Sequence, residues 1–387
     1  MSERFGFGKN WKNFVEKHFS EERATAASKN LLHSLQLQQL HGMSFLDIGC
    51  GSGLHSLAAW RAGARSVYSF DYDTNSVETT KALWQMAGQP ENWIVRQGSV
   101  LDTDFMRGLE KFDIVYSWGV LHHTGDMWTA IRNAALPLAD NGVFFVALYS
   151  DTSYRDASWH NAPTPEQWLH IKQIYNAASP ARKRYMEYGY VWRTFLAPMR
   201  RNPLKLAKAG IRLARDILSY KQARGMEFWT DIRDWMGGWP MEFVKEQDYV
   251  RLCTEELGLE PLWINSGEGN TEFLFRPKGA HNYWDVILSG RQFFPLPEPF
   301  NHEAGQMYSS KLFHLKNKSN NEQAARGSTL TLFEDGVPLG YRHAQQIGIE
   351  KSGSGRYLHW EDAVYFSSSD LSDPRHNGRK YTYCLEP

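Results

Sequence analysis

The sequence has few cysteines, no net charge and no long hydrophobic run. Its 387 residues include only Cys50, Cys253 and Cys384, which lie too far apart for a Cys-x-x-Cys metal site or a disulfide framework. Lys plus Arg and Asp plus Glu both number 43, so a globally basic, nucleic-acid-binding protein is not expected. Neither a signal-peptide core nor a run of about 18 apolar residues occurs. We therefore expect a cytoplasmic protein that binds no nucleic acid.

The first half of the chain alternates short apolar runs with helical patterns. A length of 387 residues suggests two to three domains, and 42% hydrophobic residues suffice for a large core. Strands that alternate with helices at this spacing predict a parallel sheet covered on both faces. The predicted strands are Ser44–Ile48, Ser66–Phe70, Trp93–Gln97, Phe112–Ser117 and Val143–Tyr149. The predicted helices are Leu54–Ala62, Asn75–Ala87 and Met127–Ala139.

The alternation stops at residue 150 and resumes near residue 245. Residues 150–240 have helical signals and many aromatic residues, with helix starts at Thr164-Pro165 and Asn202-Pro203. A helix at Lys245–Leu257 then precedes two strands, Leu259–Ile264 and Thr271–Arg276. The link between these strands is too short for a parallel crossover, so we expect an antiparallel pair.

The two ends of the chain differ from this pattern. Residues 1–42 are interpreted as an N-terminal arm or lid, and Pro295, Pro297 and Pro299 predict a linker over residues 280–300. A β-rich module is expected over residues 301–387. Its predicted strands are Thr329–Phe333, Arg356–Phe366 and Lys380–Cys384, with a hairpin turn at Glu334-Asp335-Gly336.

A glycine loop joins the first predicted strand to the first helix. Asp47-Ile48-Gly49-Cys50-Gly51-Ser52-Gly53 would let a ligand approach the backbone closely, in front of a helix N-terminus. Asp71 ends the second strand, where a carboxylate can accept hydrogen bonds from a ribose diol. The loop differs from the dinucleotide-binding pattern Gly-x-Gly-x-x-Gly.

These segments resemble the class I S-adenosylmethionine (SAM)-dependent methyltransferases over residues 43–279. Two further segments, Gly98–Asp102 and Phe112–His123, resemble the family's adenine-bracketing and fourth-strand motifs. The resemblance implies an α/β, Rossmann-like seven-stranded sheet, an insertion after the fifth strand and SAM as cofactor. The cofactor-binding residues it implies are Asp47, Gly49, Gly51, Gly53, Asp71, Tyr72, Ser99, Val100 and Trp118.

The insertion is the expected site of the methyl acceptor. Its tryptophans and carboxylates suit sugar recognition, although the tryptophans could equally form the core of a helical lid. The expected substrate-binding residues are Tyr149, Trp159, His160, Trp229, Asp231, Asp234 and Trp235. The candidate general bases are His122, His123 and Glu242, and a structural role for the histidine pair remains open. No metal dependence is expected.

A basic amphipathic helix is predicted after Asn202. Residues 182–224 contain twelve Lys or Arg against only Glu187 and Asp216. An apolar stripe at 3–4 spacing (Leu204, Ala207, Ile211, Ala214, Leu218) runs beside a basic one (Lys205, Lys208, Arg212, Arg215). Such a helix could touch an anionic membrane or a lipid-linked acceptor, or it could be a solvated face packed on the core.

The leading functional hypothesis is O-methylation of a sugar or glycan precursor in bacterial surface-polysaccharide synthesis. The alternatives are a small-molecule methyltransferase with a quinone-like or natural-product acceptor, and a non-catalytic SAM- or glycan-binding protein. The sequence leaves the acceptor atom and the oligomeric state open.

Overall fold

The computed structural model describes residues 19–151, 154, 163–224, 228–266, 270–321, 328–340 and 342–385. The chain divides into two compact units. The first comprises residues up to 139 together with 145–244, and the second comprises residues 140–144 together with those from 245 onward.

A seven-stranded sheet runs in the order β3-β2-β1-β4-β5-β7-β6. Strand β1 pairs in parallel with β2 and β4, β2 pairs in parallel with β3, and β6 and β7 are antiparallel. Every residue of β1 is buried, as expected for a strand covered on both faces. The strands are β1 (Ser44–Ile48), β2 (Ser66–Asp71), β3 (Trp93–Gln97), β4 (Phe112–Trp118), β5 (Leu138–Tyr149), β6 (Leu259–Ser266) and β7 (Asn270–Pro277). The predicted Rossmann-like fold, with its final antiparallel pair, is confirmed.

Five helices lie between the described N-terminal residues and β5, and four of them begin at polar capping residues. They are α1 (Glu21–Leu35), α2 (Leu54–Arg61), α3 (Thr74–Met86), α4 (Thr103–Arg107) and α5 (Met127–Ala135). Ser20, Asp73, Asp102 and Asp126 each accept a backbone N–H at the start of α1, α3, α4 and α5. The prediction that α5 extends to Ala139 was wrong. Pro137 has no N–H to continue the helical hydrogen bonds, and the chain enters β5 at Leu138.

Helix α1 is the described part of the predicted N-terminal arm. It packs against α2, with Leu31 and Leu35 buried and an ion pair of 2.7 Å between Arg61 and Glu21. Residues 1–18 lie outside the described residues, so the predicted lid over the cofactor stays a prediction there.

The described part of the insertion after β5 contains four α-helices. They are α6 (Pro165–Ala177), α7 (Pro180–Val191), α8 (Pro203–Arg224) and α9 (Phe228–Gly237). Thr164 begins α6 with a complete capping box, and the Asn202 side chain accepts the N–H of Lys205 at 3.1 Å. Both predicted helix starts are therefore confirmed. A π-helical turn (Trp192–Leu196) and a 3-10 turn (Ala197–Met199) link α7 to α8.

Helix α8 packs on the insertion core with a face other than its predicted apolar stripe. The core contains Tyr175, Val191, Phe228, Ile232 and Met236, and Leu213 and Ile217 of α8 pack against it. The stripe residues Leu204, Ile211 and Leu218 are instead 77%, 64% and 84% exposed.

The second unit combines the β6–β7 hairpin with a β-rich module. Its helices are α10 (Glu246–Arg251), which continues as a π-helical turn (Leu252–Glu256), α11 (Tyr283–Ser289) and α12 (Gln346–Ser352). Two further sheets have the orders β13-β14-β10-β9 and β12-β11-β15-β8. Their strands are β8 (Phe294–Pro295), β9 (Asn301–Ala304), β10 (Met307–Lys311), β11 (Leu330–Glu334), β12 (Val337–Pro338), β13 (Tyr357–Trp360), β14 (Ala363–Phe366) and β15 (Tyr381–Leu385).

The predicted strands Thr329–Phe333 and Lys380–Cys384 are confirmed as β11 and β15, and the third predicted strand needs correction. The hairpin turn at Asp335 and Gly336 is confirmed, because both residues have positive φ (51° and 82°) and join β11 to β12. The predicted strand Arg356–Phe366 is in fact a hairpin. It turns at Glu361 (φ 49°), which separates β13 from β14.

The linker predicted over residues 280–300 was wrong. Helix α11 lies within it, with Trp284 fully buried, and Leu296 and Phe300 belong to the core of the β-rich module. Pro295 is tolerated because β8 is an edge strand. The boundary between domains also differs from the prediction, since residues 245–279 belong to the same unit as the β-rich module.

Candidate active site

The glycine loop is shaped by three left-handed glycines. Gly49, Gly51 and Gly53 have φ of 74°, 53° and 78°. A Cβ on Gly49 would lie 2.4 Å from Cγ1 of Val120, so no larger residue fits there without a shift. Helix α2 begins after Gly53, which provides no side-chain cap, and the N–H of Leu54 donates to Oγ of Ser52 at 3.4 Å. The N-terminus of a helix in this position favours an anionic or polar ligand group.

Asp71 is held beside this loop. One carboxylate oxygen accepts the N–H of Gly51 at 3.0 Å, and the other accepts the N–H of Asp73 at 2.9 Å. Burial raises the pKa of Asp71 to about 6, although both hydrogen bonds act in the opposite direction. Each oxygen retains a second lone pair, so the carboxylate can still accept hydrogen bonds from a diol.

Asp47 lies beneath the loop and does not face it. Its side chain is 3% exposed and accepts the hydroxyl proton of Ser56, which in turn bonds Ser69. Burial raises the pKa of Asp47 to about 7. The predicted cofactor contact of Asp47 is therefore corrected to a supporting role, in which it ties β1 to α2 in the core.

The remaining predicted cofactor residues lie at the ends of neighbouring strands. Tyr72 follows β2 and is 60% exposed, and Trp118 ends β4 and is 43% exposed. Such exposure is unusual for large aromatic side chains. Ser99 accepts the N–H of Leu101 at 3.2 Å. Val100 is buried, and its carbonyl accepts from the side-chain amide of Asn133 at 2.9 Å. The glycine loop, the carboxylate and the exposed rings share the carboxyl ends of parallel strands, where α/β sheets bind ligands.

A second group of side chains lies at the ends of β4 and β5. We call it the histidine–aromatic cluster; its members are His122, His123, Tyr149, Tyr154 and Trp235. The ring of His122 is 4.1 Å from that of Tyr149 and 4.4 Å from that of His123. Tyr154 stacks on Trp235 with ring centroids 5.7 Å apart. Two loop histidines, the end of β5 and helix α9 therefore converge.

The two histidines have opposite tautomers. Nδ1 of His123 lies 2.7 Å from the carbonyl oxygen of Pro240, which can only accept, so Nδ1 carries the proton and Nε2 is the basic nitrogen. The backbone N–H of Tyr149 points at Nδ1 of His122 from 3.4 Å, which places the proton of His122 on Nε2. That Nε2 has no hydrogen-bond partner among the described residues.

Burial keeps both imidazoles neutral. It lowers the pKa of His123 to about 4, and it lowers the pKa of His122 well below its ordinary value. The nearby Lys172 ammonium lowers both pKa values further.

Glu242 is occupied as a helix cap. Its Oε1 accepts the N–H of Met127 at 3.0 Å, at the start of α5, and its own N–H donates to the carbonyl of His122 at 2.8 Å. Burial raises the pKa of Glu242, although the hydrogen bond from Met127 acts in the opposite direction. This geometry favours a positioning role for Glu242 over that of a base.

Lys172 was missed by the sequence analysis. It is 1% exposed, donates to the carbonyl of Trp235, and lies 4.8 Å from the centroid of the Trp235 ring. Burial lowers its pKa to about 7, while Asp234 acts in the opposite direction. The available signal was its spacing with Trp168 and Tyr175 (i−4 and i+3), which places a lysine on the buried face of α6.

The other predicted substrate residues separate into three groups. Asp231 and Asp234 both raise the pKa of Tyr149, and Asp234 also acts on Lys172, so both carboxylates lie near the histidine–aromatic cluster. Asp231 in addition accepts the hydroxyl proton of Tyr220 of α8. Trp229 packs on Tyr188 of α7, a contact within the helical insertion. Trp159 and His160 lie outside the described residues.

Among the described residues, no group of three or more His, Cys, Asp or Glu side chains is arranged to hold a metal ion. No described helix is both long and apolar enough to cross a membrane.

Comparisons with known proteins agree with the loop and sheet geometry. Residues 19–179 match a family model described as a methyltransferase domain. The match covers less than half of the chain, so these residues are similar to that family. The sheet order and the glycine loop fit the Rossmann-like class I methyltransferase fold, for which SAM is the cofactor. The loop amides, the Asp71 carboxylate and the exposed rings of Tyr72 and Trp118 fit such a cofactor.

The similar proteins have diverse acceptors. A ubiquinone biosynthesis O-methyltransferase of Methylobacterium sp. (strain 4-46) is 31% identical over 30% of this chain and 44% of its own length. A tRNA U34 carboxymethyltransferase of Methylococcus capsulatus (strain ATCC 33009 / NCIMB 11132 / Bath) is 38% identical over 22% of this chain and 25% of its length.

A solved structure covers more of the fold. Magnesium protoporphyrin IX methyltransferase from Synechocystis PCC 6803, with bound SAH, is 13% identical; the match covers 66% of this chain and 84% of that one, with a TM-score of 0.37. The chain spans about half or less of the length of the first curated relatives that it matches.

Proposed function

We propose that the protein is a SAM-dependent O-methyltransferase whose acceptor hydroxyl lies against the histidine–aromatic cluster. The observation that carries this proposal is His123. Its Nδ1–H is fixed on the Pro240 carbonyl, and its Nε2 is unprotonated at neutral pH because its pKa is about 4. A histidine oriented in this way suits the removal of a hydroxyl proton.

The proposed reaction assigns different roles to SAM, His123 and Lys172. SAM, when bound, supplies an electrophilic methyl group, and its thioether leaving group needs no acid. The protein must align the acceptor oxygen, exclude water and take up the proton. A low pKa makes His123 a weak base, so help in acidifying the hydroxyl is useful. Lys172, whose pKa of about 7 keeps it partly charged, supplies a cation near the cluster.

A sugar or glycan precursor, as used in surface-polysaccharide synthesis, is the first acceptor class to test. Its support is the carboxylate of Asp234, which influences both Tyr149 and Lys172 beside the ring of Trp235. A carboxylate can bind sugar hydroxyls while aromatic rings stack on the C–H face of the sugar.

A quinone-like phenol is the second acceptor class. It is favoured by the mainly aromatic walls of the cluster and by Lys172, which would stabilise a phenolate. The ubiquinone O-methyltransferases among the relatives are consistent with it, although the matches cover only part of their length.

The test is methyl transfer from labelled SAM to a panel of nucleotide sugars, glycan precursors and phenolic quinone precursors, followed by mass spectrometry. His123→Asn should lower turnover of the accepted class about 10²–10⁴-fold and leave SAH affinity nearly unchanged. Asp71→Ala should weaken SAH binding by about 1–3 kcal/mol in calorimetry, because the diol loses its acceptor.

Three results would contradict the proposal. The first is full turnover by His123→Asn. The second is SAH binding that is indifferent to Asp71→Ala. The third is SAH binding without transfer to any acceptor, which would favour the non-catalytic alternative.

A further inference from the structure

The outer surface of the insertion concentrates exposed apolar side chains. Among the described residues, nineteen large hydrophobic side chains are exposed, and eight of them lie within residues 185–218. They are Tyr185, Tyr188, Trp192, Phe195, Met199, Leu204, Ile211 and Leu218. Scattered exposed apolar residues are normal, whereas such a concentration marks an interaction surface.

The arrangement on α8 is regular. Leu204, Ile211 and Leu218 are seven residues apart, so they fall within an arc of about 40° on the helix. The opposite side of α8, through Leu213 and Ile217, already packs on the insertion core. A face that was merely solvated would carry polar residues in place of this stripe. The exposed leucines and isoleucine therefore need a partner.

The segment before α8 adds further exposed apolar side chains. Tyr185 and Tyr188 lie three residues apart on one side of α7, and the Tyr188 ring also contacts Trp229. Trp192, Phe195 and Met199 follow in the π-helical and 3-10 turns that pack against α8. Tyrosine and tryptophan are enriched where protein meets the headgroup region of a bilayer.

The positive charge of residues 182–224 favours an anionic partner. Residues 182–224 hold twelve Lys or Arg against Glu187 and Asp216, in a chain with no net charge, so the remaining residues carry the compensating negative charge. Lys205, Lys208, Arg212 and Arg215 flank the apolar stripe directly. The ion pair between Arg212 and Asp216 is long (3.9 Å) and exposed, so it stabilises the helix little and leaves the segment strongly positive.

We propose that this basic–apolar surface docks on an anionic membrane. The basic–apolar surface comprises the eight exposed apolar residues and the four flanking cations. Its apolar side chains would enter the headgroup–acyl boundary, while the cations contact acidic headgroups, as amphipathic interfacial helices do. Docking is independent of the proposed activity, and it would bring the insertion to lipid-linked acceptors.

The experiment is flotation of the purified full-length protein with phosphatidylcholine vesicles that contain about 30% phosphatidylglycerol, and with pure phosphatidylcholine vesicles. We expect flotation with the anionic vesicles at low salt, and strong loss at about 0.5 M salt, because screening weakens surface charge interactions. Replacing Lys205, Lys208, Arg212 and Arg215 by Gln together should lower the vesicle partition coefficient by roughly 10²–10³-fold.

A second variant tests the apolar part. Leu204→Ser, Ile211→Ser and Leu218→Ser together should abolish flotation without loss of folding, because all three side chains are exposed. The matched controls lie elsewhere on the described surface. Val286→Ser, Phe313→Ser and Leu371→Ser replace apolar residues that are 73%, 70% and 47% exposed, and Arg107→Gln, Lys316→Gln, Lys318→Gln and Lys351→Gln replace four exposed cations. Both control variants should float like the wild type.

Three results would overturn the proposal. One is a wild-type protein that does not float with anionic vesicles at low salt. Another is equal flotation with neutral vesicles that the Gln variant does not reduce. The third is a concentration-dependent dimer, removed by the Ser variant, in a protein that does not float, since this would make the surface a contact between copies of the chain.

Discussion

At the residue scale, the titratable groups around the strand ends shift toward their neutral forms. Burial raises the pKa of Asp47 to about 7 and that of Asp71 to about 6, while it lowers the pKa of His123 to about 4 and that of Lys172 to about 7. Charge at this edge of the sheet is therefore costly unless a ligand compensates it.

Asp47 offers a direct test through pH. Because its folded pKa is raised above its unfolded pKa, its stabilising contribution is complete at low pH and is lost between about pH 4 and pH 7. Asp47→Asn retains an acceptor for Ser56 but cannot ionise. Relative to the wild type, this variant should gain about 2–3 kcal/mol of unfolding free energy between pH 5 and pH 8.

Urea denaturation of both proteins at the two pH values measures this difference. A gap between the proteins that stays constant with pH would show that Asp47 is not forced toward its neutral form. Asp47→Ala is unsuitable for this comparison, because it also leaves Ser56 without its acceptor.

At the element scale, segment 239–244 connects the insertion to the histidine turn. The Pro240 carbonyl binds His123, and Glu242 both binds the His122 carbonyl and caps α5. The positions of both histidines therefore depend on the segment that follows α9.

Glu242→Gln distinguishes a cap from a base. Glutamine keeps an oxygen that can accept the Met127 N–H but cannot take up a proton, so we expect methyl transfer within about threefold of wild type. Glu242→Ala should lose about 0.5–2 kcal/mol of stability together with turnover, because the N–H of Met127 at the start of α5 loses its acceptor, although Asp126 still caps the helix. Steady-state kinetics and thermal unfolding measure both effects. A Gln variant with turnover reduced 10²-fold and unchanged stability would instead assign the proton transfer to Glu242.

Local sequence signals predicted correctly where helices begin. Which face of a helix packs against which neighbouring element could be learned only from the structure. Thr164 and Asn202 begin helices because capping depends on residues within one turn. Periodicity showed that α8 has an apolar stripe, but it could not show that Leu213 and Ile217, on the other side, meet the core. The same limitation applied to Trp229 and Lys172, whose contacts come from different helices.

At the scale of the whole molecule, the chain builds separate cores from distant parts of its sequence. Three prolines near residue 297 indicated a break between domains, yet Leu296 and Phe300 are core residues of the β-rich module. Proline composition describes the local backbone, and burial depends on strands such as β11 and β15 that lie 30 to 90 residues further along. The seven-stranded sheet was expected because its local motifs resemble those of a known family, and the final antiparallel pair was expected from the short link between β6 and β7.

Leu332 tests the separation of the two cores. It is completely buried in β11, in the second unit, so Leu332→Ala should lower the unfolding free energy of that unit by about 2–5 kcal/mol. SAH affinity should stay near the wild-type value, because the glycine loop and Asp71 belong to the first unit. Chemical denaturation and calorimetry measure the two quantities.

Val337→Ala provides the control, since Val337 is 51% exposed and its truncation should change stability by less than about 0.5 kcal/mol. If Leu332→Ala weakened SAH binding as strongly as Asp71→Ala, packing in the second unit would affect the cofactor site, and the prediction would be wrong.

The insertion leaves and rejoins the sheet at one point. Ser150 forms a parallel bridge with Val244, and the N–H of Asp151 donates to the Val244 carbonyl at 2.7 Å. Residues paired in this way are about 5 Å apart, which one or two glycines can span. In evolutionary terms, the insertion can be exchanged as a unit, because a different helical segment can begin and end at the same two positions. Acceptor choice can then diverge while the sequence of the cofactor loop stays the same.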